Sequence, residues 1–144
     1  MGTRAHKLIV LVDDNEDDRW IIEKAVQRTL TKVQLRVFEA AETALEYLDD
    51  ERSERPELIV IDAILPQMSG LELVSQLRAE GPARLTPVIM LSGSNQQSLI
   101  DEAYARGCNG FCVKPAEFSD LVHKFTAIFD YWLTHMAMPS PPGE

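Results

Sequence analysis

The sequence predicts an α/β fold: a doubly wound (βα)5 three-layer sandwich around a parallel sheet ordered 2-1-3-4-5. Three observations predict it. Four short runs are apolar almost without a break, as strands covered on both faces by helices must be. Amphipathic stretches at helical spacing separate them. Strand and helix patterns alternate along 144 residues, which suits one hydrophobic core and implies right-handed crossovers.

The first strand is "KLIVLV", ending at Val12, and it runs straight into Asp13 and Asp14. Asn15 caps the first helix, with Glu16, Asp17 and Asp18 in its opening turn and Ile21, Ile22, Ala25 and Val26 on its apolar stripe. "QLRVFEA", from Gln34, interleaves Arg36 between Leu35 and Val37 and reads as an edge strand. The second helix spans Ala41 to Asp50 on Ala44, Leu45 and Leu48, and "DDERSERPE" follows as a solvated loop. "ELIVI" ends at Ile61. The third helix starts after Gly70, uses Leu71, Val74 and Leu77, and stops at Gly81 and Pro82. "PVIML" ends at Leu91. The fourth helix runs from about Asn95 through Leu99, Ile100, Ala103 and Tyr104 to a left-handed cap at Gly107. "GFCV" ends at Val113, and the longest helix, "AEFSDLVHKFTAIFDYWLTHM", carries Phe118, Leu121, Val122, Phe125, Ile128, Phe129, Trp132, Leu133 and Met136 at helical spacing. Residues 1–138 form a single domain and 139–144 a short tail kept non-helical by its prolines.

Composition narrows the function. A formal charge of −9 without a Lys/Arg cluster excludes a nucleic-acid partner and favours cations or basic surfaces. Cys108 and Cys112 have no His or Cys placed for a zinc site and read as reduced, buried thiols. The N-terminal "MGTRAHK" has His6 where a myristoylation motif needs Ser or Thr, the apolar run behind it is too short for a signal peptide, and no stretch approaches the ~20 apolar residues of a membrane span. The expected setting is the cytoplasm, with no membrane partner.

Parallel strands deliver their C-terminal ends to one edge, and ligands of open α/β sheets bind there, where strand order reverses. Asp13 and Asp14, Asp62, Ser92 and Lys114 all stand just past strand ends, and in the order 2-1-3-4-5 the reversal brings the three aspartates together. Neighbouring strands lie about 4.8 Å apart, and two unit charges at 4 Å repel by ~4 kcal/mol at an effective dielectric of 20. Lys114, about two strand spacings from Asp62, can reach part of the way, but one lysine does not balance three acids. Mg2+ does, with hard oxygen ligands and retained water. A metal, an ammonium and a hydroxyl around one carboxylate suit phosphoryl transfer, with Asp62 as nucleophile and the backbone N–H groups of Ala63, Ile64 and Gly93 as an oxygen cradle.

Together, "VDDN" after strand one, "IDAILPQMSG" with its D-x-x-x-P-x-x-x-G spacing, "LSGS" and "VKP" resemble the receiver domains of bacterial two-component response regulators over nearly the whole chain. The resemblance implies a flavodoxin-like fold and phosphorylation of Asp62 by a sensor histidine kinase. It implies Mg2+ held directly or through water by Asp13, Asp14, Asp62 and the Ile64 carbonyl. Lys114 would contact the acceptor and phosphoryl group, with a cis bond to Pro115. Ser92 and Phe111 would be the switch pair that remodels the face of helix four, strand five and helix five. Ser92 stands where Thr is commoner, Gly93 where Ala is usual, and Phe111, often a Tyr, has no phenol.

The ending "FDYWLTHMAMP" resembles single-domain receivers that work with bacterial phytochrome kinases, which points to a phytochrome partner and a homodimer through Phe129, Trp132, Leu133 and Met136. The expected protein is a phosphorylation-driven switch without a DNA-binding output domain. A phosphatase using Asp62 on small substrates would need a second acid and a cap, and Ile64 occupies the position such an acid would take. An unphosphorylated dimerisation module would keep its partner binding in Asp62→Asn.

Overall fold

The structure, a computed structural model, describes residues 6–139. Five strands, β1 (Lys7–Val12), β2 (Val33–Phe38), β3 (Leu58–Asp62), β4 (Val88–Ser92) and β5 (Gly110–Val113), alternate with five helices. These are α1 (Glu16–Gln27), α2 (Ala41–Asp49), α3 (Gly70–Ala79), α4 (Gln97–Arg106) and α5 (Phe118–Asp130), which continues into a π-helical turn at Tyr131–His135. The sheet is wholly parallel, in the order β2-β1-β3-β4-β5. The expected tail, apart from Pro139, lies outside the described residues, as do residues 1–5.

Alternate residues of each strand feed opposite layers. Leu8, Val10, Val12, Ile59, Ile61, Val88 and Met90 meet α2, α3 and α4, while Ile9, Leu11, Leu58, Val60, Ile89 and Leu91 meet α1 and α5. β1, β3 and β4 are therefore buried on both faces, whereas β2 alternates half-buried and exposed residues over most of its length, as the edge position requires.

The caps follow the expected chemistry at two helix ends. Asn15 accepts the Asp18 N–H at 3.0 Å to open α1, and Gly107 closes α4 at φ +112°. Arg78 explains a second demand on Gly107, since a Cβ there would stand 2.8 Å from the Arg78 Cγ. α4 starts two residues later than expected, because the Ser94 hydroxyl first takes the Gln96 N–H at 3.2 Å. The last helix is not one uniform element. At its end the Lys7 ammonium donates to the Leu133 carbonyl at 2.6 Å, Asp130 accepts the Leu30 N–H at 2.8 Å, and Thr134 bonds Thr31 at 2.7 Å. These side bonds hold a wider turn that keeps Leu133 under the sheet, in the same cluster as Phe129.

Candidate functional site

β1 and β3 end side by side, and their last apolar residues hand over to acids. Asp13 is fully buried, its backbone N–H tied to the Phe38 carbonyl at 3.0 Å. Its Oδ1 accepts the Asn15 N–H at 2.9 Å, while its Oδ2 is buried with no partner. Asp62, the last residue of β3, is 7% exposed and its Oδ1 accepts the Ile64 N–H at 2.9 Å. Asp14 stands in solvent beside them, and one oxygen from each of Asp13, Asp14 and Asp62 falls within 4.8 Å of the others.

From the neighbouring strands come a hydroxyl and an ammonium. Ser92, nearly buried at the end of β4, accepts the Ser94 N–H at 3.1 Å. Lys114 is placed by its own N–H, which donates to the Ser92 carbonyl at 2.8 Å. Its Nζ bonds Asp18 Oδ2 and lies 3.6 Å from Asp62 Oδ2.

The local charge balance is short of cations. Burial, opposed by the Asn15 N–H and reinforced by Asp62 and Asp18, pushes the Asp13 carboxyl up to about 8. Burial also raises Asp62, against the Ile64 N–H and Lys114. Burial works against the Lys114 charge too, yet Asp18, Asp62 and Asp13 hold the ammonium above its ordinary value. Hard carboxylate oxygens with an orphaned, buried Asp13 Oδ2 fit a divalent cation such as Mg2+.

Several expectations change. The Ala63 N–H donates to the Leu91 carbonyl at 2.9 Å, so the sheet ladder takes it and it does not join the oxygen cradle. No cis peptide bond occurs among the described residues, so the Lys114 to Pro115 bond is trans rather than cis; the trans form is the intrinsically lower one by about 0.5 to 1 kcal/mol. Phe111 is half-buried against the α2, α3 and α4 layer. Phe129 and Leu133 belong to the core, at 0% and 1% exposure, and leave Met136 exposed and Trp132 half-buried at that end.

Asp18 joins the site without a motif in the sequence to mark it. In an acidic first turn it reads as a dipole complement. The available signal is its phase: Asp18, Ile21, Ile22 and Ala25 share one helical stripe, so the buried face of α1 reaches the strand edge as a carboxylate.

Residues 9–126 match the family described as the response regulator receiver domain. The chain is 28% identical over 137 residues to the probable methanogenesis regulatory protein FilR2 of Methanothrix harundinacea, covering 93% of this chain and 88% of that one. It is 24% identical over 138 residues to response regulator Rcp1 of Synechocystis sp., covering 93% and 94% of the two chains, and the Mn2+-bound crystal structure of Rcp1 superposes with a TM-score of 0.85. The crystal structure of the phosphorylated cyanobacterial phytochrome response regulator RcpA superposes with a TM-score of 0.88 at 28% identity, over 94% of this chain and 100% of that one.

Proposed function

The chain belongs to the response regulator receiver family, and from that premise we propose that Asp62 is its phosphoacceptor and a sensor histidine kinase its donor. One observation carries this reading: Asp62 is held with one oxygen on the Ile64 N–H and the other toward Lys114, beside the orphaned Asp13 Oδ2. A carboxylate oxygen of Asp62 attacks the phosphorus, the phosphorus–nitrogen bond of the phosphohistidine breaks, and its electron pair stays on the ring nitrogen. The products are an acyl phosphate on Asp62 and a free imidazole.

Asp13, Asp14, Asp62 and the Ile64 carbonyl would hold Mg2+, directly or through water. Bound there, the ion supplies positive charge to the phosphoryl oxygens. Lys114 adds a second cation, and the N–H groups of Ile64 and Gly93 with the Ser92 hydroxyl complete the cradle. Drawing Ser92 toward the phosphoryl group opens room for Phe111 to turn inward, which changes the surface a partner reads. The chain thereby assists its own phosphorylation and dephosphorylation and transmits the result as shape.

The likeness to RcpA, a cyanobacterial phytochrome response regulator, supports a phytochrome as the kinase. We assign a homodimer to the end of the chain where Met136 is exposed and Trp132 is half-buried. No helix among the described residues is long and apolar enough to cross a membrane, and we place the protein with the kinase in the cytoplasm. Acetyl phosphate and Mg2+ test the assignment by intact mass: wild type gains one phosphate, and Asp62→Asn gains none. Labelling that survives in Asp62→Asn, or that survives a chelator undiminished, overturns it.

A further inference from the structure

Asp18 is not one of the three carboxylates grouped within 4.8 Å, yet it takes the primary bond of the Lys114 ammonium. Asp62 Oδ2 is left at 3.6 Å, beyond hydrogen-bonding distance. Both partners are anchored through the backbone, Asp18 by the Asn15 cap at 3.0 Å and Lys114 by the Ser92 carbonyl at 2.8 Å. Rotation of the long lysine side chain is then enough to pass the ammonium from one carboxylate to the other.

We infer, on the reading that Asp62 is the phosphoacceptor, that Asp18 is a positioning residue: it holds Lys114 off Asp62 in the resting protein and yields it when a phosphoryl group arrives. Before transfer Lys114 has Asp62, backed by Asp13, on one side and Asp18 on the other, and Asp18 has the shorter contact. A phosphoryl group brings roughly two negative charges to the Asp62 side, and the balance tips. Every labelled molecule must therefore break the Lys114–Asp18 pair and leave Asp18, only 6% exposed, without its partner. The pair works as a brake on acceptance. It also puts the first turn of α1 in contact with the phosphorylation state, since Asp18 is the third residue of that helix.

The test uses the full chain, acetyl phosphate and saturating Mg2+, with the initial rate of labelling read by mass. Asp18→Asn and Asp18→Ala, which both remove the competing charge, are expected to label roughly threefold faster than wild type or more, the size of coupling seen between close charged groups. In a Lys114→Met background the same Asp18 substitutions are expected to change nothing. A purely structural role for Asp18, or simple repulsion of the donor, would act whether or not Lys114 is present. Rates in both Asp18 variants at or below that of wild type, or an equal gain without Lys114, overturn the inference. Wild type that fails to label at all overturns the phosphoacceptor reading instead, so the two failures are distinct.

Discussion

A Cβ on Gly70 would stand 2.0 Å from the carbonyl oxygen of Asp62 and 2.9 Å from the Ile61 side chain. The first residue of α3 thus lies directly on the strand end that presents the acceptor, and only a residue without a side chain fits. This is the physical content of the last position in D-x-x-x-P-x-x-x-G. Gly70→Ala is expected to cost about 3 kcal/mol, because the obstructing atom is backbone and cannot rotate away. Denaturant unfolding measures the cost, and acetyl-phosphate labelling is expected to fall with it as Asp62 is displaced.

The buried acids make the metal-free protein sensitive to pH. Asp13, pushed up to about 8 against an ordinary value of 3.8, binds more protons folded than unfolded. Its contribution to stability is full below about pH 4 and is lost as pH rises toward 8. Asp62 is raised in the same direction and adds to the loss. Lys114, also raised, keeps its contribution until pH climbs through its folded value, in the alkaline range. Thermal scans in chelator are expected to show Tm falling across the Asp13 window, with a shallower fall in Asp13→Asn. Mg2+ competes with protons for the same oxygens, so its stabilisation grows over that window. An identical pH slope in Asp13→Asn would show that the buried carboxyl is not the source.

Legibility in the sequence followed how local each feature is. β1, β3 and β4 were readable because each carries an unbroken apolar run that gives way to a polar residue, Asp13 just past β1 and Asp62 and Ser92 at the last positions of β3 and β4. Lys114 was readable for the same reason, one residue beyond β5. Asp18 was not, because the direction an acid faces in a first helical turn depends on where the helix lies over the sheet. The engagement of Ala63 is not legible locally, because the ladder to β4 claims its N–H one residue past the end of β3. The cover over the end of α5 is not legible either, because the side bonds of Lys7, Leu30 and Thr31, all remote in sequence, set it.

That end of the chain separates folding from association. Phe129 is wholly buried and meets Phe125 in a tilted pair with ring centroids 5.5 Å apart, whereas Trp132 is half-buried and meets Tyr131 edge-on at 5.7 Å. Phe129→Ala is expected to cost about 3 to 5 kcal/mol of stability. Trp132→Ala is expected to cost about 1 kcal/mol or less and to weaken self-association roughly tenfold. Unfolding curves and sedimentation velocity read the two effects apart. A dimer unaffected by Trp132→Ala would place the contact on another face.

Arg78 governs the opposite pole of the sheet. Its guanidinium donates to the carbonyls of Gly107 at 2.9 Å, Arg84 at 3.1 Å and Thr86 at 2.7 Å, and to Asn109 Oδ1 at 2.8 Å. Asn109 Oδ1 in turn accepts the N–H of Val88, so this one side chain ties the end of α3 to the start of β4 and the cap of α4. Burial lowers its pKa, but an arginine stays charged at any working pH. Arg78→Ala is expected to cost about 2 to 3 kcal/mol, because several carbonyls, two of them partly buried, lose their donor together. Arg78→Lys is expected to recover little, since an ammonium cannot span the fork of acceptors. Val88 and Ser92 bound β4, and its rise of about 3.3 Å per residue puts the acceptor edge roughly 13 Å away. Folded Arg78→Lys is therefore expected to label at the wild-type rate despite its lower Tm. A labelling defect larger than the unfolded fraction explains would mean that the two ends of the sheet are coupled.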